Sequence, residues 1–344
     1  MKSTRMISAL LFAGALVLAA GCGKDALQFS RKSGEPIVFG VGTKAETRTV
    51  YGDITSSGTQ KFQAIEWLAS DKIRVYSPNT KRNAWKGYDQ QWADYIVTPT
   101  ATDASRGTLS NVQPFGLSWG VNGDYTFYSV YPSPETEEDD VPTDGTRGVF
   151  NLTIPASQAP ATLMDYAFMT AAAQVSTTES DNVVNLDFYP AFTAFEFELT
   201  GEDAAVTLNE LSIESASGAL TGAFTVSYAG TTASYTATGT GKKVTLTLPD
   251  NTVLSNTTPL SCTVVTLPVE VTDLTLGIVR TFDGAQVRNT LELKRVDGTF
   301  LTFAERKKHR LTGIVTPVMV QLTTFDATTG SWQTWTHNNT VLGN

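Results

Sequence analysis

Apolar and polar residues alternate with period two through much of the second half of the chain. Phe195, Phe197 and Leu199 are separated by Glu196 and Glu198. Val244, Leu246 and Leu248 are separated by Thr245 and Thr247, and Leu291 and Leu293 flank Glu292. Such alternation predicts half-buried antiparallel strands with one apolar and one polar face. The first half carries shorter runs of the same kind: 36–41, 62–67, 73–76, 125–131 and 149–154, the last ending at Pro155. Turn residues separate the runs, among them Asp283-Gly284, Asp297-Gly298, Ser217-Gly218 and Pro249-Asp250-Asn251. No window sustains a period near 3.6, so the pattern predicts an all-β chain. The polar stretch 174–182 falls near the middle and places a domain boundary near 178. The expectation is an N-terminal domain over 22–178 and a C-terminal domain over 179–344, each two packed antiparallel sheets.

The N-terminus breaks this pattern. Lys2 and Arg5 precede an apolar run from Ile7 to Ala20, followed by Gly21 and Cys22. That order is the n-region, h-region and cleavage site of an export signal over 1–21. The run is too short to span a bilayer core of about 30 Å comfortably. Leu18-Ala19-Ala20-Gly21-Cys22 resembles a bacterial lipobox, with Ala19 where Leu is usual. The resemblance makes Cys22 the lipidation residue and an outer-membrane lipid anchor the expected attachment. A thiolate is the right nucleophile for that transfer. Residues 23–35 read as a polar tether, and Lys24-Asp25 resembles a surface-export signal of some lipoproteins.

Composition narrows the chemistry. Thr accounts for 52 of 344 residues, a strand-forming bias. A net charge of -9 argues against nucleic acid as a partner. Two Cys and two His leave little for metal sites or His-based catalysis. With Cys22 lipidated, Cys262 has no disulfide partner and reads as a buried apolar side chain. His309, in the basic run 305–310, reads as part of a solvated turn, and neither it nor His337 has a second ligand at zinc-like spacing. Gly239-Thr240-Gly241-Lys242 lacks phosphate-loop spacing and reads as a hairpin tip. The acidic stretch 135–140 lacks the spaced oxygens of a calcium loop. No catalytic, metal or cofactor residue is assigned, and an enzyme is not expected. Trp85 and Trp92 lie in a polar stretch where a sugar-stacking platform is conceivable.

The order of motifs resembles the fimbrillin family. Ile37 to Val41 followed by Thr47, Arg48, Thr49 and Tyr51 resembles that family's first strand and its TRT-x-Y segment. Trp67, Asp71, Ile73 and Val75 resemble its W-x-x-x-D-x-I-x-V strand. Tyr128, Tyr131 and Pro132, then Ile154, Pro155 and Gln158, resemble its Y-x-x-YP and IP-x-x-Q motifs. Val184 to Phe188 with Phe195 and Phe197 resembles the strand pair opening its second domain, with Tyr189 where His is usual. The resemblance implies two tandem transthyretin-like β-sandwich domains after a lipoprotein signal and tether. It implies a cell-surface fimbrial (pilus) subunit or adhesin, with other fimbrial subunits as partners and a host protein or glycan as an adhesion target. It also implies protease processing after Arg48, loss of the first strand, and its replacement by an extended segment of another subunit. The strand-like runs at 317–322 and 331–336 are either that donor or a closing hairpin of the chain's own sheet. The alternative reading is a monomeric surface lipoprotein that binds glycans for nutrient uptake.

Overall fold

The structure is a computed structural model. It describes residues 34–342 except 44–49, 58–59, 82, 86–87, 113–115, 121–122, 135–146, 161–164, 177–182, 203–205, 251, 296, 317–319, 330–334 and 338–340. The described residues contain strands and no α-helix, as the period-two pattern predicts.

Seven strands close a barrel: β1 (Val38–Thr43), β4 (Lys72–Tyr76), β7 (Trp92–Thr100), β8 (Asp103–Asn111), β9 (Asp124–Tyr131), β12 (Met169–Ser176) and β13 (Val183–Pro190). Their spatial order is β1-β13-β12-β9-β4-β7-β8, and β1 completes the ring. Two hairpins lie off it: β2 (Val50–Ser57) with β3 (Gln60–Glu66), and β5 (Asn83–Trp85) with β6 (Tyr88–Gln90). The interior is built from alternate residues. Val184, Leu186 and Phe188 of β13 meet Phe39, Trp67, Tyr95, Phe127 and their neighbours. Trp67 stands edge-on to both Tyr131 and Phe188, a preferred aromatic geometry.

The second core lies between two sheets. One has the order β19 (Leu260–Thr266), β14 (Thr193–Gly201), β22 (Lys307–Val315), β23 (Val320–Thr329) and β24 (Trp335–His337), with β25 (Val341–Leu342) also on β23. The other has the order β11 (Ser157–Gln158), β18 (Lys243–Thr247), β15 (Thr207–Ser215), β20 (Leu274–Phe282) and β21 (Ala285–Glu292). Phe195, Phe197 and Leu199 face Leu211, Ile213, Leu246, Leu276 and Ile278 across it. Thr245 and Thr247 of β18 point away from this core, as the alternation predicts. Asp283 and Gly284 both take positive φ in the β20–β21 turn, the backbone that an Asp-Gly hairpin supplies.

A smaller sheet, β10 (Val149–Ile154), β16 (Gly222–Ala229) and β17 (Thr232–Ala237), ties the two together. Its Phe150, Ile154, Phe224 and Val226 pack with Tyr76, Tyr128 and Val130 of the barrel and with Ala194, Val265 and Leu267 of the sandwich. The chain crosses between cores more than once. β10 pairs with β16 and β11 with β18. β13 belongs to the barrel and runs through buried Ala191 and Phe192 into β14 of the sandwich. The boundary expected near 178 falls outside the described residues.

Two local expectations are corrected. The basic run 305–310 is not a solvated turn: it leads into β22, where Lys308 and His309 are buried. The glycines at 239 and 241 are not a hairpin tip; Gly241 bridges Thr221. A Cβ on Gly239 would lie 2.5 Å from the Thr221 carbonyl oxygen, so the two backbones touch where no side chain fits.

Candidate assembly groove

The β1 sequence, Val38-Phe39-Gly40-Val41-Gly42-Thr43, is two-sided. Phe39, Val41 and the preceding Ile37 point inward and are buried. Phe39 stands edge-on to Tyr95 and Phe127, at ring-centroid distances of 5.2 and 5.3 Å. Outward lie Val38, 51% exposed, and Gly40 and Gly42. A Cβ on Gly40 would meet Asn185 Oδ1 of β13 at 2.6 Å. The strand is therefore held by its inner side chains and its backbone, and its outer face is nearly bare. Burying Phe39 alone is worth about 1.5–3 kcal/mol.

The backbone partners differ on the two sides. β1 runs parallel to β13, with Phe39 opposite Val184 and Val41 opposite Leu186. It runs antiparallel to β8, with Gly40 opposite Thr108 and Gly42 opposite Arg106. The barrel is thus closed by one short strand near the N-terminus. Its removal would leave two facing strand edges and a slot lined by Tyr95, Phe127 and Leu186. Unpaired edges beside vacated side-chain pockets are the setting for strand addition.

Of the sequence-predicted site residues, Cys22 lies in 1–33 and Arg48 in 44–49, both outside the described residues, as does the acidic stretch 135–140. Arg48 falls between β1 and β2 in the chain. At the C-terminal end, β23 pairs antiparallel with β22, and β24 and β25 pair with β23. In the single chain these strands extend its own sandwich.

The buried polar groups read as structural. Gln158 acts on the open edge of β19: its amide donates to the Val265 carbonyl at 2.8 Å and accepts from the Val265 N–H at 3.0 Å. The IP-x-x-Q segment thus supplies a core residue, a strand stop at Pro155 and an edge cap. Arg74 is clasped by Asp94 through Nε at 2.7 Å and Nη2 at 2.9 Å, and Ser133 donates to the same carboxylate. The Arg74 guanidinium lies 3.9 Å from the Trp92 ring centroid, so one face of that ring is occupied rather than offered to a sugar. The side chain of Trp85 is outside the described set.

Sequence reading missed the cluster at Glu196. Its carboxylate accepts from Lys308 Nζ at 2.9 Å and Arg310 Nε at 2.7 Å. Burial pushes the Glu196 carboxyl upward, but the two cations outweigh it and hold it below the usual carboxylate range. The basic run after residue 305 is where these cations were visible; their partner lies on a strand far away in sequence. His309 is held near Phe195 and Phe303. Its Nε2 lies 3.0 Å from the Ala304 carbonyl oxygen, and burial depresses its pKa to about 4. Cys262 is buried as expected, and burial pushes its thiol up to about 11, which leaves it unreactive at neutral pH. Among the described residues no group of His, Cys, Asp and Glu is arranged to hold a metal.

Comparison with known proteins gives a consistent picture. A family model described as fimbrillin-like matches residues 47–332. No curated protein matches the sequence. Among solved structures, a candidate cell adhesion protein from Bacteroides uniformis is similar, with 19% identity and a TM-score of 0.50 over 88% of this chain and 98% of that one. A candidate cell adhesion protein from Bacteroides ovatus is similar at 11% identity and a TM-score of 0.51, over 91% of this chain and 99% of that one. These likenesses are of fold.

Proposed function

The chain belongs to the fimbrillin-like family, and from that premise we propose that it is a surface-exported pilus subunit, assembled by replacement of β1 with an extended segment of another subunit. It is a structural protein rather than an enzyme. Cys22 is the lipid attachment that carries it to the outer membrane, and two or more acyl chains there give stable anchoring. Cleavage after Arg48 severs β1 from the rest of the barrel. The released strand leaves edges on β13 and β8 and an apolar slot, and the segment of a neighbouring subunit supplies both the backbone pairs and the side chains. Adhesion to neighbouring or host cells is the role of the finished filament.

The observation that supports this reading is the position of β1. It closes the barrel and buries Phe39 and Val41 on its inner face, and the candidate cleavage residue follows it. The glycan-binding alternative draws no comparable support from Trp92, whose ring already stacks with Arg74.

The test is the mature N-terminus together with assembly. Arg48→Ala is expected to retain the segment from Cys22 onward in the surface protein by mass spectrometry, and to abolish the ladder of polymers on an unboiled gel. Polymers formed undiminished by Arg48→Ala, with Cys22 still acylated and joined to the chain, would overturn the proposal.

A further inference from the structure

β1 is only the second half of the extended segment seated at this position. Before it, Gly34, Glu35, Pro36 and Ile37 run antiparallel to Leu117, Ser118 and Trp119, with Pro36 opposite Ser118. Three backbone bonds join them: Gly34 N–H to the Trp119 carbonyl at 2.7 Å, Trp119 N–H to Glu35 at 2.9 Å, and Ile37 N–H to Leu117 at 2.9 Å. The same short segment is tied to the barrel by two tyrosine hydroxyls. Leu117 N–H donates to Tyr95 Oη and Gly120 N–H to Tyr125 Oη, each at 2.8 Å. Lys81 N–H adds a bond to Ser118.

Tyr95 therefore has two contacts of different kinds. Its ring edge meets Phe39 in the groove, and its hydroxyl holds Leu117 beyond the groove's end. Trp119 lies edge-on to Tyr125 at 4.8 Å and to Phe127 at 6.0 Å, and Phe127 is the other wall of the Phe39 slot. The slot and the 116–120 segment share one aromatic cluster.

We propose that residues 116–120 are a latch that makes the acceptor site longer than β1, so that it selects a segment matching all of 34–43. This rests on the reading that β1 is replaceable. The partner is an extended strand with a bulky aromatic two residues from an aliphatic on its inner face. On its outer face the position matching Gly40 is small, because Asn185 occupies the space beside it. It continues far enough on its N-terminal side to pair with Leu117 and Trp119. A strand covering only the β13 and β8 edges fills the slot and leaves the latch without three of its backbone partners.

The experiment uses the full chain with one recognition sequence for a specific protease placed within 44–49, nicked after folding. Labelled synthetic peptides with the sequences of 34–43 and 38–43 then exchange against the resident segment. The longer peptide is expected to bind at least about tenfold more tightly, the scale of a few net backbone hydrogen bonds. It alone should slow hydrogen exchange at the Trp119 amide, which donates to the Glu35 carbonyl. Tyr95→Phe keeps the ring against Phe39 and removes the hydroxyl. It should weaken the longer peptide toward the shorter one and leave the shorter unchanged. Equal affinity of the two peptides, unaffected by Tyr95→Phe, overturns the latch but leaves strand replacement standing. Failure of both to enter a chain from which the resident segment has dissociated overturns both.

Discussion

His309 and Glu196 sit on adjacent strands of one sheet, Glu196 opposite Arg310 and Phe195 opposite His309, and both make the fold sensitive to acid. His309 is neutral in the folded chain because burial depresses its pKa to about 4. The unfolded chain takes up that proton near the ordinary value of about 6.5. Between these values the unfolded state binds more protons, so stability falls as pH drops from about 6.5 to about 4. The loss is on the order of 3 kcal/mol. Glu196 acts in the same direction at lower pH: its folded pKa is held down by Lys308 and Arg310, so its contribution is complete above the ordinary carboxylate value and is lost as pH falls through the folded one. We expect His309→Phe to flatten the urea midpoint against pH between about 6.5 and 4 without abolishing the steeper loss below. An unchanged slope would show that His309 does not carry it. Phe39→Ala removes a ring enclosed by two others and should cost about 3–5 kcal/mol, read from denaturant unfolding.

Single elements show what a one-dimensional pattern can carry. The strands of the second half were legible because alternation fixes which face is buried, and Phe195, Phe197 and Leu199 are all fully buried. The Asp283-Gly284 turn was legible because the residue types supply the required positive φ. The basic run 305–310 looks solvated in the sequence because the cations of β22 are visible there and their partner on β14, with which β22 pairs in parallel, is not. Gln158 is visible in the sequence as the end of the IP-x-x-Q motif, but its task depends on β19, more than a hundred positions later. Gln158→Ala should expose the Val265 amide on the β19 edge, at a cost of about 1–3 kcal/mol. Hydrogen exchange at Val265 should quicken more than at the inner strand β14. Equal protection in the variant would show that another group covers that edge. The candidate groove was partly legible: the inward residues of β1 follow from the period, whereas its two neighbours and the 117–119 contact are non-local and leave no periodic trace.

At the scale of the molecule, the barrel, the small sheet and the sandwich are threaded by one chain that passes among them repeatedly. β13 lies beyond residue 178 and yet pairs with β1, and β10 and β11 lie before it and pair with strands beyond 221. A fragment of residues 22–178 lacks β13 and is expected to lose the near-ultraviolet circular dichroism of a packed aromatic core. The whole chain is expected to unfold in one calorimetric transition, because Phe150, Phe192 and Phe224 form a core shared by both halves. Two well-separated transitions would contradict that.

The pairing of β1 also sets how the closing position answers to force. The strand lies lengthwise between two neighbours, parallel to β13 and antiparallel to β8, and antiparallel hydrogen bonds lie across the strand direction. A pull along the strand axis therefore strains both rows together instead of opening them one at a time from an end. Any segment seated in that position is gripped as a sheared joint, strong along its length and weak to sideways peeling. A filament built from such joints would yield first where its load turns a corner.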